Sequence, residues 1–146
     1  AKEAAHTYET LLAQGHYFID GAEELLETLY GQYRMYLVTN GTLSVQKGRL
    51  KSSGISRYFE DIFISEELGY NKPGREYFDC CFSRIPDFHK ETAVIIGDSL
   101  TSDIQGGINA GIRTIWFNPS HEKTSEIIPD HEFESLMKLP ELLSHI

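Results

Sequence analysis

Residues 93–103 read AVIIGDSLTSD: an apolar run, Ala93-Val94-Ile95-Ile96, stops at Gly97-Asp98 and gives way to small polar residues and Asp103. An uninterrupted apolar run of this length fits a strand covered on both faces, as in a parallel sheet. Gly97-Asp98 then reads as a tight turn, and the segment rich in Gly, Ile and Ala that follows Asp103 as a helix. The turn lies at the carboxyl end of a strand, where open α/β folds bind their ligands. Two carboxylates brought to that place suggest a hard cation, Mg²⁺. The plainer alternative is an ordinary strand-to-helix loop with Asp98 as a turn residue.

The chain has 146 residues, 40% of them hydrophobic and 12% aromatic, enough for one domain with a real core. A net charge of −9 argues against a nucleic-acid polymer or an anionic membrane as partner, since either would be repelled. It does not exclude a small phosphate ester, provided that a divalent cation and a lysine offset the site. The only cysteines are neighbours, Cys80 and Cys81, in a helical pattern. They point to different faces, so they read as packing residues of a reducing, cytoplasmic compartment and not as a disulfide or metal site. No apolar run is long enough to span a membrane.

Outward from the central segment, strands and helices alternate. Ala4, Ala5, Tyr8, Leu11 and Leu12 fall at helical spacing, so residues 1–14 read as a short amphipathic helix ended by Gly15. Asp20 is placed as the N-cap of a helix carrying Leu25, Leu26 and Leu29 and ending near Gly31. Tyr33 to Val38 is predicted as a strand, with Thr39-Asn40-Gly41-Thr42 turning into a helix from about Leu43 to Ser53. Phe59 to Ser65 is the next strand. Pro73 suits a helix start, and the helix runs from Arg75 to Arg84 with Tyr77, Phe78, Cys81, Phe82 and Ile85 buried. Beyond the central strand a helix over Ser102–Ala110 lies close on the sheet through Gly106, Gly107 and Ala110. Thr114–Phe117 is a strand, a polar stretch to about His131 a surface loop, and Phe133–Ile146 a helix interrupted near Pro140. This alternation implies parallel strands joined by right-handed crossovers.

Three strand ends on one sheet edge then carry polar groups. Thr39-Asn40 offers a hydroxyl and free backbone N–H groups at a helix start, a phosphate cradle or else a simple N-cap. Lys72 can balance phosphate charge, although a lone lysine is usually just solvated. Asp98 and Asp103 can meet in one cavity, Asp98 on a metal and Asp103 supporting it. The order of the three, each after a strand, makes a common site a better reading than three separate accidents.

With LVTNG at residues 37–41, NKP at 71–73 and IIGDSLTSD at 95–103, the chain resembles a phosphatase of the haloacid dehalogenase superfamily. FEDIFISEELGYNKP, IIGDSLTSDIQGGINAGI and WFNP look like its pyrimidine 5′-nucleotidase group, and the likeness runs from about Phe18 to the end. The resemblance implies an α/β, three-layer Rossmann-like core with a parallel sheet. It implies a Mg²⁺-dependent phosphomonoesterase working through an aspartyl-phosphate on a small phosphorylated metabolite, a nucleotide above all. Thr39 and the Asn40 backbone would bind phosphate oxygens, Lys72 would neutralise charge, Asp98 would hold the metal, and Asp103 would orient Lys72 or the metal's surroundings. The rivals are a sugar-phosphate phosphatase, a metal-free haloacid dehalogenase, a non-catalytic binding remnant and a response-regulator receiver domain. The last is disfavoured because no acidic pair follows a first strand.

The superfamily's nucleophilic Asp-x-Asp motif has no counterpart. Asp20 follows an apolar stretch, but Ala22 stands where the second Asp would be needed, so Asp20 reads as a helix cap. In the family the strand bearing that motif lies mid-sheet. Its absence predicts a core lacking its central strand, with residues 1–17 as the tail of a helical cap and 18–146 as the carboxyl-terminal part of the hydrolase core. The chain is then expected to be part of a longer protein, inactive by itself.

Overall fold

The computed structural model describes residues 9–13, 22–42, 45, 54–124 and 126–146. Six strands form one sheet: β1 (Glu9–Ala13), β2 (Arg34–Thr39), β3 (Asp61–Ile64), β4 (Ala93–Gly97), β5 (Arg113–Phe117) and β6 (His131–Phe133). Their order is β3-β2-β1-β4-β5-β6, and every pairing is parallel. The α-helices whose bounds fall among the described residues are α1 (Ala22–Leu29), α2 (Ser65–Leu68), α3 (Arg75–Ser83), α4 (Gln105–Ala110) and α5 (Leu139–Ser144).

Strand side chains alternate between two faces, and each face owns a core. Met35, Leu37, Val94, Ile96, Ile115 and Phe117 pack with Leu25, Leu26 and Leu29 of α1 and Leu139 and Leu143 of α5. Tyr36, Val38, Phe63, Ala93 and Ile95 pack on the other side with Tyr77, Phe78 and Cys81 of α3 and Ala110 of α4. Burial on both faces is why β2 and β4 read as continuous apolar runs. The expected three-layer α/β architecture is therefore present. Gly106 and Gly107 are buried, and a Cβ on Gly107 would lie 2.5 Å from Ile95 Cγ2 and 2.6 Å from Thr114 Cγ2. α4 rests directly on the sheet, as its small residues predict.

Several expectations are corrected. Residues 9–13 form a strand, not part of a helix, and this strand fills the mid-sheet position expected to be missing. β1 pairs with β2 from Glu9 against Arg34 to Ala13 against Val38, and with β4 from Glu9 against Ala93 to Leu12 against Ile96. The physical reason is the ladder: inner edges of β2 and β4 buried without partners would leave a row of unsatisfied N–H and C=O groups. A short apolar run such as Leu11-Leu12 fits strand or helix equally, and the slot decides. Ser65, expected to end a strand, instead opens the short helix α2, which also takes in Glu66 and Glu67. Phe133 belongs to β6 and not to a helix, and Pro140 opens α5 instead of interrupting it, in the first turn where its missing N–H costs nothing. Asp20 and nearly all of the expected helix over 43–53 lie outside the described residues.

Candidate active site

The chain runs outward from β1 through β2 to β3, then returns to β4 on the other side of β1. The reversal makes the carboxyl ends of β1, β2 and β4 the switch point of the sheet, the place where open parallel sheets hold their ligands. Thr39 ends β2, Gly97 ends β4, and Asp98 follows directly.

Lys72 arrives from the loop between α2 and α3. Its ammonium donates to Asp103 Oδ1 at 2.6 Å and to the Val38 carbonyl at 3.4 Å. Both side chains of the pair are buried, 5% and 2% exposed. A buried ion pair holds only when its geometry is good and its remaining polar atoms have partners. Here Asp103 Oδ2 accepts from the Ser99 amide at 3.3 Å, and the Ser102 hydroxyl donates to Oδ1 at 3.4 Å.

The turn after β4 is shaped for this. Gly97 has no room for a side chain, since a Cβ there would run into the Asp103 carboxylate. Ser99 caps the following turn by accepting the Ser102 amide on its hydroxyl at 3.2 Å. That turn, Leu100–Ile104, is π-helical, with the Ile104 amide donating to the Ser99 carbonyl. The wider turn carries the buried Asp103 back towards Gly97 and leads into α4; such turns often mark functional sites. Trp116 of β5 fixes the other end, donating from Nε1 to the Asp98 carbonyl at 3.1 Å.

Thr39 is 2% exposed. Its hydroxyl donates to the Asn40 carbonyl at 3.2 Å, and its amide donates to the Tyr77 hydroxyl at 2.9 Å. The side chain of Asn40 makes a two-bond clasp on Lys72: Oδ1 accepts the Lys72 amide at 2.9 Å and Nδ2 donates to the Lys72 carbonyl at 3.2 Å. Ser65 joins the same loops, accepting from the Gly41 amide at 2.9 Å and donating to the Gly41 carbonyl at 3.2 Å.

Thr39, Lys72 and Asp103, expected from sequence at one sheet edge, thus stand at one edge, with Lys72 and Asp103 in direct contact. Asn40 was expected to act through its backbone; its side chain holds Lys72. Asp98 is partly exposed, and among the described residues its carboxylate has no hydrogen-bond or ionic partner. The reading from sequence missed Tyr77 as more than packing, and it gave Trp116 no part. The available signal was a phenol in an otherwise apolar buried set, which needs a partner. Burial, with Cys81 beside it, holds the Tyr77 phenol proton far above its usual range, so the hydroxyl remains a donor.

The donor chemistry suits Mg²⁺ in a limited sense. Among the described residues no group of three or more His, Cys, Asp or Glu is placed to hold a metal. Mg²⁺ needs no such cage: it keeps several waters and takes one or two carboxylates together with substrate phosphate. Asp98, partly exposed, fits that use, whereas Asp103 is committed to Lys72.

A sequence profile of the family described as haloacid dehalogenase-like hydrolase matches residues 1–117. The chain is 46% identical over 138 residues to the protein named HAD-hydrolase YfnB of Bacillus subtilis (strain 168), covering 94% of this chain and 59% of that one. The crystal structure of YfnB bound to magnesium superposes with a TM-score of 0.83, at 48% identity, over 86% of this chain and 55% of that one. Pyrimidine 5′-nucleotidase PynA of Streptococcus pneumoniae (strain ATCC BAA-255 / R6) is 43% identical over 141 residues, 95% of this chain and 60% of its own. Pyrimidine 5′-nucleotidase YjjG of Escherichia coli (strain K12) is 36% identical over 126 residues, 86% of this chain and 56% of its own. The chain therefore spans about six-tenths of the length of these relatives.

Proposed function

The chain belongs to the haloacid dehalogenase-like hydrolases, and from that premise we propose that, in its longest natural form, it is a Mg²⁺-dependent phosphomonoesterase acting on nucleoside 5′-monophosphates. The observation that supports the reading is the buried Lys72–Asp103 pair at the sheet edge where Thr39 ends β2 and Asp98 follows β4. Its likeness to two pyrimidine 5′-nucleotidases favours nucleotides over other phosphate esters.

Lys72 brings a positive charge to a place where phosphate and an attacking carboxylate, both anions, must approach; fixed in advance, such a charge lowers the barrier without reorganisation. Asp103 and the Asn40 clasp set where the ammonium lies. The Thr39 hydroxyl and the Asn40 amide are the groups for phosphate oxygens. Asp98 would hold Mg²⁺, which when bound supplies Lewis-acid stabilisation of the phosphate charge. In the proposed reaction a carboxylate oxygen bonds to phosphorus while the ester P–O bond breaks, the leaving oxygen takes a proton, and water then cleaves the acyl phosphate. No residue is assigned as that carboxylate: β1, ETLLA, holds no Asp. On this reading the 146-residue stretch alone turns over no phosphomonoester.

The test is phosphate release by the longest natural form from nucleoside and sugar monophosphates, with and without Mg²⁺. The expected result is Mg²⁺-dependent release that favours nucleotides and falls by orders of magnitude in Lys72→Ala and Asp98→Ala. Halide release from 2-haloacids without Mg²⁺, or no turnover of any phosphomonoester, would overturn it.

A further inference from the structure

Tyr77 is fully buried, and its hydroxyl lies where the ladder between β2 and β3 runs out. Those strands pair up to Val38 against Phe63 and Thr39 against Ile64. At these last pairs the Tyr77 hydroxyl accepts the Thr39 amide proton at 2.9 Å and donates to the Phe63 carbonyl at 2.6 Å. One side-chain oxygen thus bridges the carboxyl ends of two strands. Tyr77 is also the third residue of α3, the helix that begins just past Lys72. α3 is itself held in place: the Tyr77 ring meets Phe78 edge-on at 5.1 Å, and Phe78 lies so close to Gly106 that a Cβ there would fall 2.5 Å from its ring. Asn109 of α4 donates to the Pro73 carbonyl at 3.0 Å.

We propose that Tyr77 is a positioning residue of the phosphate site, its hydroxyl fixing the Thr39 amide against the helix that follows Lys72. The inference rests on the phosphomonoesterase reading. The bond goes to the backbone of the residue that would meet phosphate and ties it to the element next to the residue that would neutralise it. With the Asn40 clasp, it sets the spacing between the two groups. The molecule also holds its own comparison. Tyr36, on β2 and equally buried, has a hydroxyl with no hydrogen-bond partner among the described residues. Tyr36→Phe and Tyr77→Phe therefore delete the same atom, at a site-linked and a site-free place.

Both variants are made in the longest natural form, and nucleoside monophosphate turnover is measured beside inorganic phosphate affinity by calorimetric titration. Tyr77→Phe is expected to lower kcat/KM by about 10–100-fold, the scale on which small misplacements act, and to weaken phosphate binding in the folded fraction. Tyr36→Phe is expected to leave both unchanged. A merely structural loss would reduce the number of binding sites and not their affinity. If the parent is active and Tyr77→Phe matches Tyr36→Phe in both readouts, the inference is overturned while the proposed function stands. A parent that neither hydrolyses phosphomonoesters nor binds phosphate removes both. Should Tyr77→Phe fail to fold, the parent protein decides by NMR: phosphate is expected to shift the Thr39 amide and Tyr77 ring signals together, and binding that leaves Tyr77 unmoved overturns the inference.

Discussion

Lys72 Nζ lies 2.6 Å from Asp103 Oδ1, and the contact joins the loop before α3 to the π-turn after β4, with both side chains out of water. Removing one partner of such a pair strands the other's charge in the interior. Lys72→Ala and Asp103→Ala are each expected to cost about 3–5 kcal/mol. The double variant should cost clearly less than the two together, because it leaves no uncompensated charge. Urea unfolding of all four proteins checks this, and simple additivity would mean that the two groups do not interact.

Gly97→Ala and Gly107→Ala both force a methyl into occupied space, each at an expected cost of about 1–3 kcal/mol. They should differ in function. The added carbon at Gly97 meets the Asp103 carboxylate, whereas at Gly107 it crowds the apolar groups of Ile95 and Thr114, with Ile112 in ordinary contact. Gly97→Ala should therefore also lose phosphate affinity and turnover, while Gly107→Ala should keep both at temperatures where it is folded. Equal kinetic losses in the two variants would contradict the role given to the Gly97 contact.

Asn40→Ala deletes both bonds to the Lys72 backbone. At about 0.5–1.5 kcal/mol per hydrogen bond, the stability loss should be modest and the kinetic loss the larger effect. Asn40→Asp keeps the acceptor for the Lys72 amide and gives up the donor, so its turnover should fall between parent and Asn40→Ala. Thermal melts beside steady-state assays separate the two quantities.

Cys80 is partly exposed and Cys81 fully buried. Burial, reinforced by neighbouring Cys80, pushes the Cys81 thiol far above its usual range, and an inert thiol follows from the missing thiolate. Iodoacetamide at pH 8 should label Cys80 in the folded protein and Cys81 only after unfolding, as read by tandem mass spectrometry. Rapid labelling of Cys81 in the folded state would contradict the packing of α3.

Much of the fold was legible because its signals are local. Ala93 to Ile96 is apolar without a break because both faces of β4 are covered, and Gly106-Gly107 marks a helix pressed on the sheet. The errors fall where local signals are weak. Leu11-Leu12 is too short a run to separate strand from helix, and β6 has only three residues. Pro140 is ambiguous in sequence because a proline in a helical pattern can break it or begin it, and the chain path chooses.

In the site, local sequence sets which groups are available: Thr39 at a strand end, Lys72 before Pro73, Asp98 and Asp103 around a glycine turn. Each follows from strand-to-helix chemistry within a few residues. Their partners come from long-range packing. It put Asp103 on Lys72 across 31 residues of chain, the Asn40 side chain on the Lys72 backbone across 32, and the Tyr77 hydroxyl on the Thr39 amide across 38. It also decided that Glu9–Ala13 enters the sheet between β2 and β4. The physical reason is common to all of these. Propensity and capping act over neighbouring residues, whereas buried polar groups and strand edges must be satisfied by whatever the fold brings within about 3 Å.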